Sequence, residues 1–378
     1  LELGRSPLSL DDVLAVARGQ RSLALWRDAA YRERLRRSRE AVRARQTDGR
    51  AVYGVTTGVG ASVVNEVPAD LQAELPHQLL RFHGCGTGRL LDETEAAAVV
   101  AVRLASLARG HSGVREDLLE RLCLALEHRL LPRIPSEGSV GASGDLTPLS
   151  YLAAALIGER EVTLSGEVLG AAEAWERLGV EPLRLEPKES LALMNGTSVM
   201  AALGALAWDQ ARRLARLASA ITAVLSEVTH GNPEHFDARV FAWKAHPGSE
   251  LAARWIREDL ARDDALPTPR LQDRYSLRCA PHVIGVLLDA ASFAQGLLEV
   301  EINGVNDNPM VDPTRGDVLH GGNFYGGHVA MALDTLKTAV ASVADLLDRQ
   351  LALVCMPETN GGLPENLVAA DASEAVVH

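Results

Sequence analysis

The residues with the most chemistry in their spacing lie in one loop, Gly138-Ser139-Val140-Gly141-Ala142-Ser143-Gly144-Asp145-Leu146-Thr147-Pro148, where small residues crowd just before a helix start. Thr147 followed by Pro148 predicts an N-cap with proline at the first helical position, which places the loop where backbone N–H groups lack partners and negative charge is favoured. Three uses of such a loop compete. As a nucleophile, Ser143 needs a histidine and a carboxylate in reach, and the spacing is not the G-x-S-x-G of a nucleophile elbow, because Ala142 precedes Ser143 and Gly144 follows it. As a phosphate cradle, the loop lacks a following GKS or GKT, and Asp145 puts an anion where the ligand would sit. As a tight turn, it needs its glycines only for their backbone freedom.

Other loops combine glycine or asparagine with polar side chains: 53–60, 82–88, 195–198, 272–278, 306–309 and 321–327. Their number suggests helix ends converging on a pocket whose loops supply the reacting groups.

The elements that must position these loops read as helices. Ser9-Leu10-Asp11-Asp12 has the form of a capping box before a short amphipathic helix ending near Gly19, and Asp92 with Glu95 repeats the signal for a helix ending near Gly110. Helices are expected at about 21–45, where the arginines form a solvated face, and at 115–130, 197–229, 249–262, 281–302 and 327–355. The uncharged run 191–208 contains Asn195-Gly196-Thr197-Ser198 near its start, so it reads as a loop entering a buried helix and not as a membrane span. A small hairpin is expected at 161–170, turning at Ser165-Gly166. The fold class is therefore mainly α, a long-helix bundle with a loop-rich N-terminal head, divided as 1–190 and 191–378. After Met356 no long periodic pattern resumes.

Composition limits the partners. The 378 residues are 47% hydrophobic, enough for a large core, and a net charge of −12 without a block of basic residues argues against nucleic acid. The four cysteines, Cys85, Cys123, Cys279 and Cys355, are widely spaced, which suggests neither zinc nor a disulfide framework and fits a reducing cytoplasm. No basic-then-apolar leader opens the chain. Only Lys188, Lys244 and Lys337 are available for a Schiff base, which disfavours pyridoxal phosphate; no metal is expected.

Gly141-Ala142-Ser143-Gly144-Asp145-Leu146-Thr147-Pro148-Leu149-Ser150 closely resembles the signature of the aromatic amino acid lyase family, which comprises histidine, phenylalanine and tyrosine ammonia-lyases and the related 2,3-aminomutases. Tyr53-Gly54-Val55-Thr56-Thr57-Gly58, Asn195-Gly196-Thr197, Gln272-Asp273-Arg274-Tyr275-Ser276-Leu277-Arg278, Asn306-Asp307-Asn308-Pro309 and Gly322-Asn323-Phe324 resemble further motifs of that family, in family order. The resemblance spans essentially the whole chain.

It implies a chemistry with a clear rationale. Losing ammonia from an α-amino acid means removing a barely acidic β-proton while expelling a poor leaving group, and ordinary side chains supply no electrophile for that. In the family, the Gly144 nitrogen would attack the Ala142 carbonyl and Ser143 would lose its hydroxyl as water, giving 4-methylidene-imidazol-5-one (MIO). By the same resemblance Tyr53 is expected to take the β-proton, Arg278 to clamp the substrate carboxylate with its planar fork, and Asn195 to lie near the MIO oxygen and the substrate amine. Gly60, Gln272, Tyr275 and Phe324 are expected around the substrate, Asn308 there or as scaffold beside Asn306, and His83 at the far end of the substrate ring.

The surroundings of His83, Arg81-Phe82-His83-Gly84-Cys85-Gly86, depart from the Ser-His-Ala-Ala-Gly of histidine ammonia-lyases. Leu193-Met194-Asn195-Gly196-Thr197-Ser198-Val199-Met200 looks more like tyrosine-acting members, and Val59 stands where phenylalanine is common. The reading on these grounds is tyrosine to coumarate, with a tyrosine 2,3-aminomutase giving β-tyrosine or a histidine ammonia-lyase as alternatives. Family members continue beyond a position such as His378 and build their sites from several subunits of a homotetramer, so an inactive structural core is the alternative of another class. An intact mass lower than the sequence by two waters is the expected sign of cyclisation; an unchanged mass would exclude it.

Overall fold

The computed structural model describes residues 1–260 and 270–368. Helices dominate, and the strands among the described residues are short. The described chain forms two compact units, Leu1–Leu206 with Leu297–Val329, and Ala207–Gly296 with the chain from Ala330 onward.

In the first unit the Glu93–Leu107 helix is the centre of the core. Every residue from Ala96 to Leu107 is buried, which alanine and valine allow because they let neighbouring elements approach on all sides. Its start is fixed as the sequence predicts: Asp92 accepts from the Glu95 amide while the Glu95 side chain accepts from the Asp92 amide. The Leu10–Ala17 helix, begun by the corresponding Ser9–Asp12 box, packs against it, as do the Glu116–Glu127 helix and the strand Leu130–Pro132. That strand pairs antiparallel with Glu161–Leu164, which turns into Glu167–Gly170 as the expected hairpin, with Glu161 opposite Gly170. The arginine-rich helix starts later than the sequence reading has it, at Ala29–Thr47, because Asp28 is the residue whose side chain caps it, accepting from the Tyr31 amide.

Leu146–Leu156 follows the glycine loop and is buried from Thr147 onward, packing on Leu75–His83 and Glu189–Met194. Here the expected cap is wrong. The N-cap is Asp145, so Thr147 and Pro148 lie inside the first turn, where an absent proline N–H still costs nothing.

The first unit also buries an ion pair. The Lys188 ammonium, wholly enclosed, donates to Asp307 at 2.5 Å, and the Ser112 hydroxyl donates to the second oxygen of the same carboxylate at 2.8 Å. Burial pulls the lysine below its usual range, opposed by the carboxylate beside it. The Asn306-Asp307-Asn308-Pro309 segment is thus anchored from within.

Long helices carry most of the second unit, and three of them have one end among the residues of the first. Ser198–Val228, Ala280–Ile302 and Gly327–Cys355 match their expected spans closely, and Pro247–Leu260 matches the start of the expected 249–262 helix, whose last two residues lie outside the described set, as do residues 369–378 of the terminal stretch. Trp208 is buried and donates its indole N–H to the Ala291 carbonyl at 2.9 Å. Tyr275–Ile302 is long and apolar enough, by length and composition alone, to cross a membrane, a property that interior helices of a bundle share.

Removing one partner of a buried ion pair leaves an uncompensated charge. Asp307→Ala is expected to destabilise the protein by about 3–5 kcal/mol in denaturant unfolding; a loss under about 1 kcal/mol would show that Lys188 finds water or another partner.

Candidate active site

The glycine loop is a tight turn closed on itself. The Gly144 amide donates to the Gly141 carbonyl at 3.4 Å, and Gly141, Ser143 and Gly144 all have positive φ, of 72°, 56° and 79°. For Ser143 this left-handed backbone is unusual and must be held by its surroundings. The Ser139 hydroxyl accepts from the Gly141 amide and donates to the Gly144 carbonyl.

The main restraint comes from the Asn195-Gly196 segment. The Asp145 amide donates to the Gly196 carbonyl at 2.7 Å, the Gly196 amide donates to the Ser143 carbonyl at 3.3 Å, and the Asn195 side-chain amide donates to the same Ser143 oxygen at 2.8 Å. The backbones are so close that a Cβ on Gly144 would sit 2.1 Å from the Gly196 carbonyl oxygen. Position 144 therefore admits no side chain. A compressed Ala142-Ser143-Gly144 turn, with its central carbonyl hydrogen-bonded and no side chain beside the Gly144 nitrogen, fits the cyclisation to MIO that the family resemblance leads one to expect.

Asp145 has a role that the sequence reading misses. Although it is the N-cap of Leu146–Leu156, its carboxylate accepts instead from the Val199 and Met200 amides, at 2.9 and 3.0 Å, at the start of Ser198–Val228. Asp145 itself is the anion at that helix N-terminus. Burial pushes its carboxyl up to about 6, against the pull of those two donors and the nearby Arg103 guanidinium.

Tyr53 lies in the turn before the short Gly60–Val64 helix, and the Gly60 amide donates to its hydroxyl oxygen at 2.8 Å. The same turn packs on the helix that delivers Asn195, for a Cβ on Gly54 would strike the Leu191 side chain at 2.1 Å. The Tyr53 amide also donates to His320 Nε2 at 3.4 Å.

His83 ends the Leu75–His83 helix with Nδ1 2.8 Å from the Leu79 carbonyl, a contact in which Nδ1 donates, leaving Nε2 as the acceptor of the neutral ring. The residues after it run against the strand entering the glycine loop. A Cβ on Gly138 would meet the Gly86 Cα at 3.1 Å, and Tyr151 accepts from the Gly86 amide at 3.0 Å. Asn308 accepts from the Gly321 amide at 2.9 Å, and Asn323, beside the half-buried Phe324, donates to the Val305 carbonyl at 3.0 Å. Asn306 is buried and donates to the Thr197 hydroxyl at 2.9 Å. Tyr53, Gly60, His83, Ala142, Ser143, Gly144, Asn195, Asn308 and Phe324 thus all belong to the first unit.

Gln272, Tyr275 and Arg278 belong to the second. The Arg278 guanidinium lies 4.8 Å over the Tyr275 ring and its Nε donates to the Asp273 carbonyl. Asp273 is tied down by the Asn232 amide at 2.6 Å, and Gln350 donates to the Ser276 carbonyl at 2.9 Å. Tyr275 is 73% exposed.

The aromatic amino acid lyase description matches residues 8–376. This chain belongs to the aromatic amino acid lyase family. It is 42% identical over 375 residues to the histidine ammonia-lyase of Gloeobacter violaceus, covering 98% of this chain and 72% of that protein, and 42% identical over 373 residues to that of Sorangium cellulosum, covering 96% and 72%. Among solved structures it resembles the tyrosine aminomutase of Streptomyces globisporus, with a TM-score of 0.90 at 34% identity, covering 98% of this chain and 74% of that one. The mainly α class stands, and the chain is an enzyme of the ammonia-lyase or aminomutase type.

The tyrosine expectation is overturned. The relatives at 42% identity are named for histidine. Within the stretch from Leu193 to Met200 that favoured tyrosine, Leu193 and Met194 are buried in the Glu189–Met194 helix, where an apolar side chain answers to packing.

Because the folded Asp145 carboxyl titrates near 6 and an unfolded one near 3.9, the native state holds that proton more tightly. The group's contribution is then most favourable below about pH 4 and is lost as pH rises through about 6. Asp145→Asn keeps an acceptor oxygen but no titration. The unfolding free energy of the wild type relative to that variant should rise by about 2 kcal/mol from pH 7 to pH 4, and a pH-independent difference would contradict it.

Proposed function

We propose that this chain eliminates ammonia from L-histidine, using MIO formed from Ala142-Ser143-Gly144, to give the imidazolyl acrylate urocanate. The observation that carries this reading is the 42% identity, over 98% of the chain, to a protein named histidine ammonia-lyase. MIO supplies an electrophilic methylidene carbon, the one reactivity that side chains lack. The elimination breaks the β-C–H and Cα–N bonds and forms the acrylate double bond, releasing the proton and ammonia.

The chain's own residues divide the remaining work. Tyr53 takes the β-proton, its hydroxyl oxygen held in place by the Gly60 amide. Asn195, fixed on the Ser143 carbonyl, holds the reacting loop and presents its remaining polarity to the substrate amine. His83, with Nδ1 committed to Leu79, offers Nε2 to the imidazole N–H of histidine. That pairing suits a substrate whose ring both donates and accepts. Arg278 binds the carboxylate, with Gln272 and Tyr275 beside it, while Phe324 borders the ring and Asn308 holds its own loop in place. A homotetramer with shared sites, acting in the cytoplasm on a free amino acid, completes the reading; the solvent-exposed Tyr275 suits a residue that meets another subunit's site.

The test is incubation of the purified chain with L-histidine, L-tyrosine and L-phenylalanine separately, with all products identified by mass spectrometry. Urocanate and ammonia from histidine are expected. Turnover confined to another amino acid overturns the substrate assignment, and a β-amino acid from histidine replaces elimination by a 2,3-shift. Tyr53→Phe should retain the two-water mass loss while kcat falls about 10²–10⁴-fold; unchanged turnover would remove Tyr53 from the role of base.

A further inference from the structure

Arg103 is the one charged residue in the run of twelve buried residues from Ala96 to Leu107, and its side chain has no solvent exposure. Its guanidinium reaches the segment that backs the glycine loop. Nη2 donates to the Asn195 carbonyl at 2.8 Å and to the Ala192 carbonyl, and Nη1 donates to the Ser198 hydroxyl at 3.3 Å. Nη1 also fills the space beside Gly196, where a Cβ would lie 2.3 Å from it. Nε has no hydrogen-bond partner. A wholly buried cation is costly unless its donors are used, and here the two terminal nitrogens are used on three residues, Ala192, Asn195 and Ser198, on either side of the turn from the Glu189–Met194 helix into Ser198–Val228. Gly196 in turn accepts from the Asp145 amide and donates to the Ser143 carbonyl.

We propose that Arg103 is a positioning residue for maturation of the reacting loop: acting through Asn195 and Gly196, it holds 143–145 in the compressed turn from which Ala142-Ser143-Gly144 cyclises. In that reaction the Gly144 nitrogen forms a bond to the Ala142 carbonyl carbon, and the carbonyl oxygen leaves as water with the amide protons of Ser143 and Gly144. Ser143 then loses its α-proton and hydroxyl as a second water. No oxidant or reductant is required. An intramolecular step of this kind depends steeply on holding the reacting atoms in contact, and the planar fork of arginine fixes two carbonyls and a hydroxyl at once, which the single ammonium of lysine cannot reproduce.

The inference rests on the cyclisation reading, so the wild type is the first control. Newly made chain from a pulse of cell-free translation is followed by intact mass over time, and the folded fraction is isolated by size exclusion and checked by circular dichroism and thermal melting. Wild type without the two-water loss would overturn the cyclisation reading itself. With wild type maturing, folded Arg103→Lys and Arg103→Met are each expected to lose water at least tenfold more slowly. Ser198→Ala removes a single partner and opens a space no larger than an oxygen; it is expected to melt like wild type and mature about threefold more slowly. A purely structural arginine would lower the melting temperature yet leave the folded fraction fully dehydrated. Wild-type maturation in folded Arg103→Lys or Arg103→Met, or, where neither folds, in Ser198→Ala, would overturn the proposal.

Discussion

The reacting loop depends on one backbone contact, Gly144 against Gly196, which leaves no room for a side chain on either strand. The carbonyl of Gly196 occupies the volume a Cβ on residue 144 would need, and Arg103 occupies the volume a Cβ on residue 196 would need. Glycine at these two positions is required by contact in addition to backbone freedom, since both have positive φ. The left-handed Ser143 between them has no such licence and is kept in place by the hydrogen bonds its carbonyl accepts from Asn195 and Gly196.

Behind this contact stands an interior richer in charge than a helical core usually is. Arg103, Asp145, Lys188, Asp307 and Asn306 are all buried, and each is tied to a segment that carries a family motif. Such groups add little net stability, since desolvation offsets most of their attraction. What they add is placement: a carboxylate or guanidinium with several fixed partners tolerates far fewer arrangements than an apolar side chain of the same size. Packing alone would leave the loops of this unit freer to shift.

Much of the fold is legible in the sequence because its signals are local. The capping boxes at Ser9 and Asp92, the hairpin at Ser165-Gly166 and the long helices follow from periodicity and terminus chemistry within a few residues. The helix after the glycine loop was mis-started because Asp145 is drawn to Val199 and Met200, a pull from 54 and 55 residues away that no local rule contains. The site was legible as motifs and not as a mechanism of support. Arg103 leaves one local trace, a charge inside an alanine-valine run, whose meaning appears only when Ala192 and Asn195 are placed against it. Substrate preference is not legible in Leu193 to Met200, where Leu193 and Met194 answer to the core.

The Asp145 carboxylate joins the start of one helix to the start of another, directly after the compressed turn between Gly141 and Gly144. A chain still emerging from synthesis has the same tripeptide in its sequence but not yet the Val199 and Met200 amides that hold Asp145. Under the proposed cyclisation, dehydration of the loop would be irreversible in a way that folding is not. The mass of each molecule would then keep a permanent record of its history, and a chain found unfolded yet lighter by two waters would be one that had been native before.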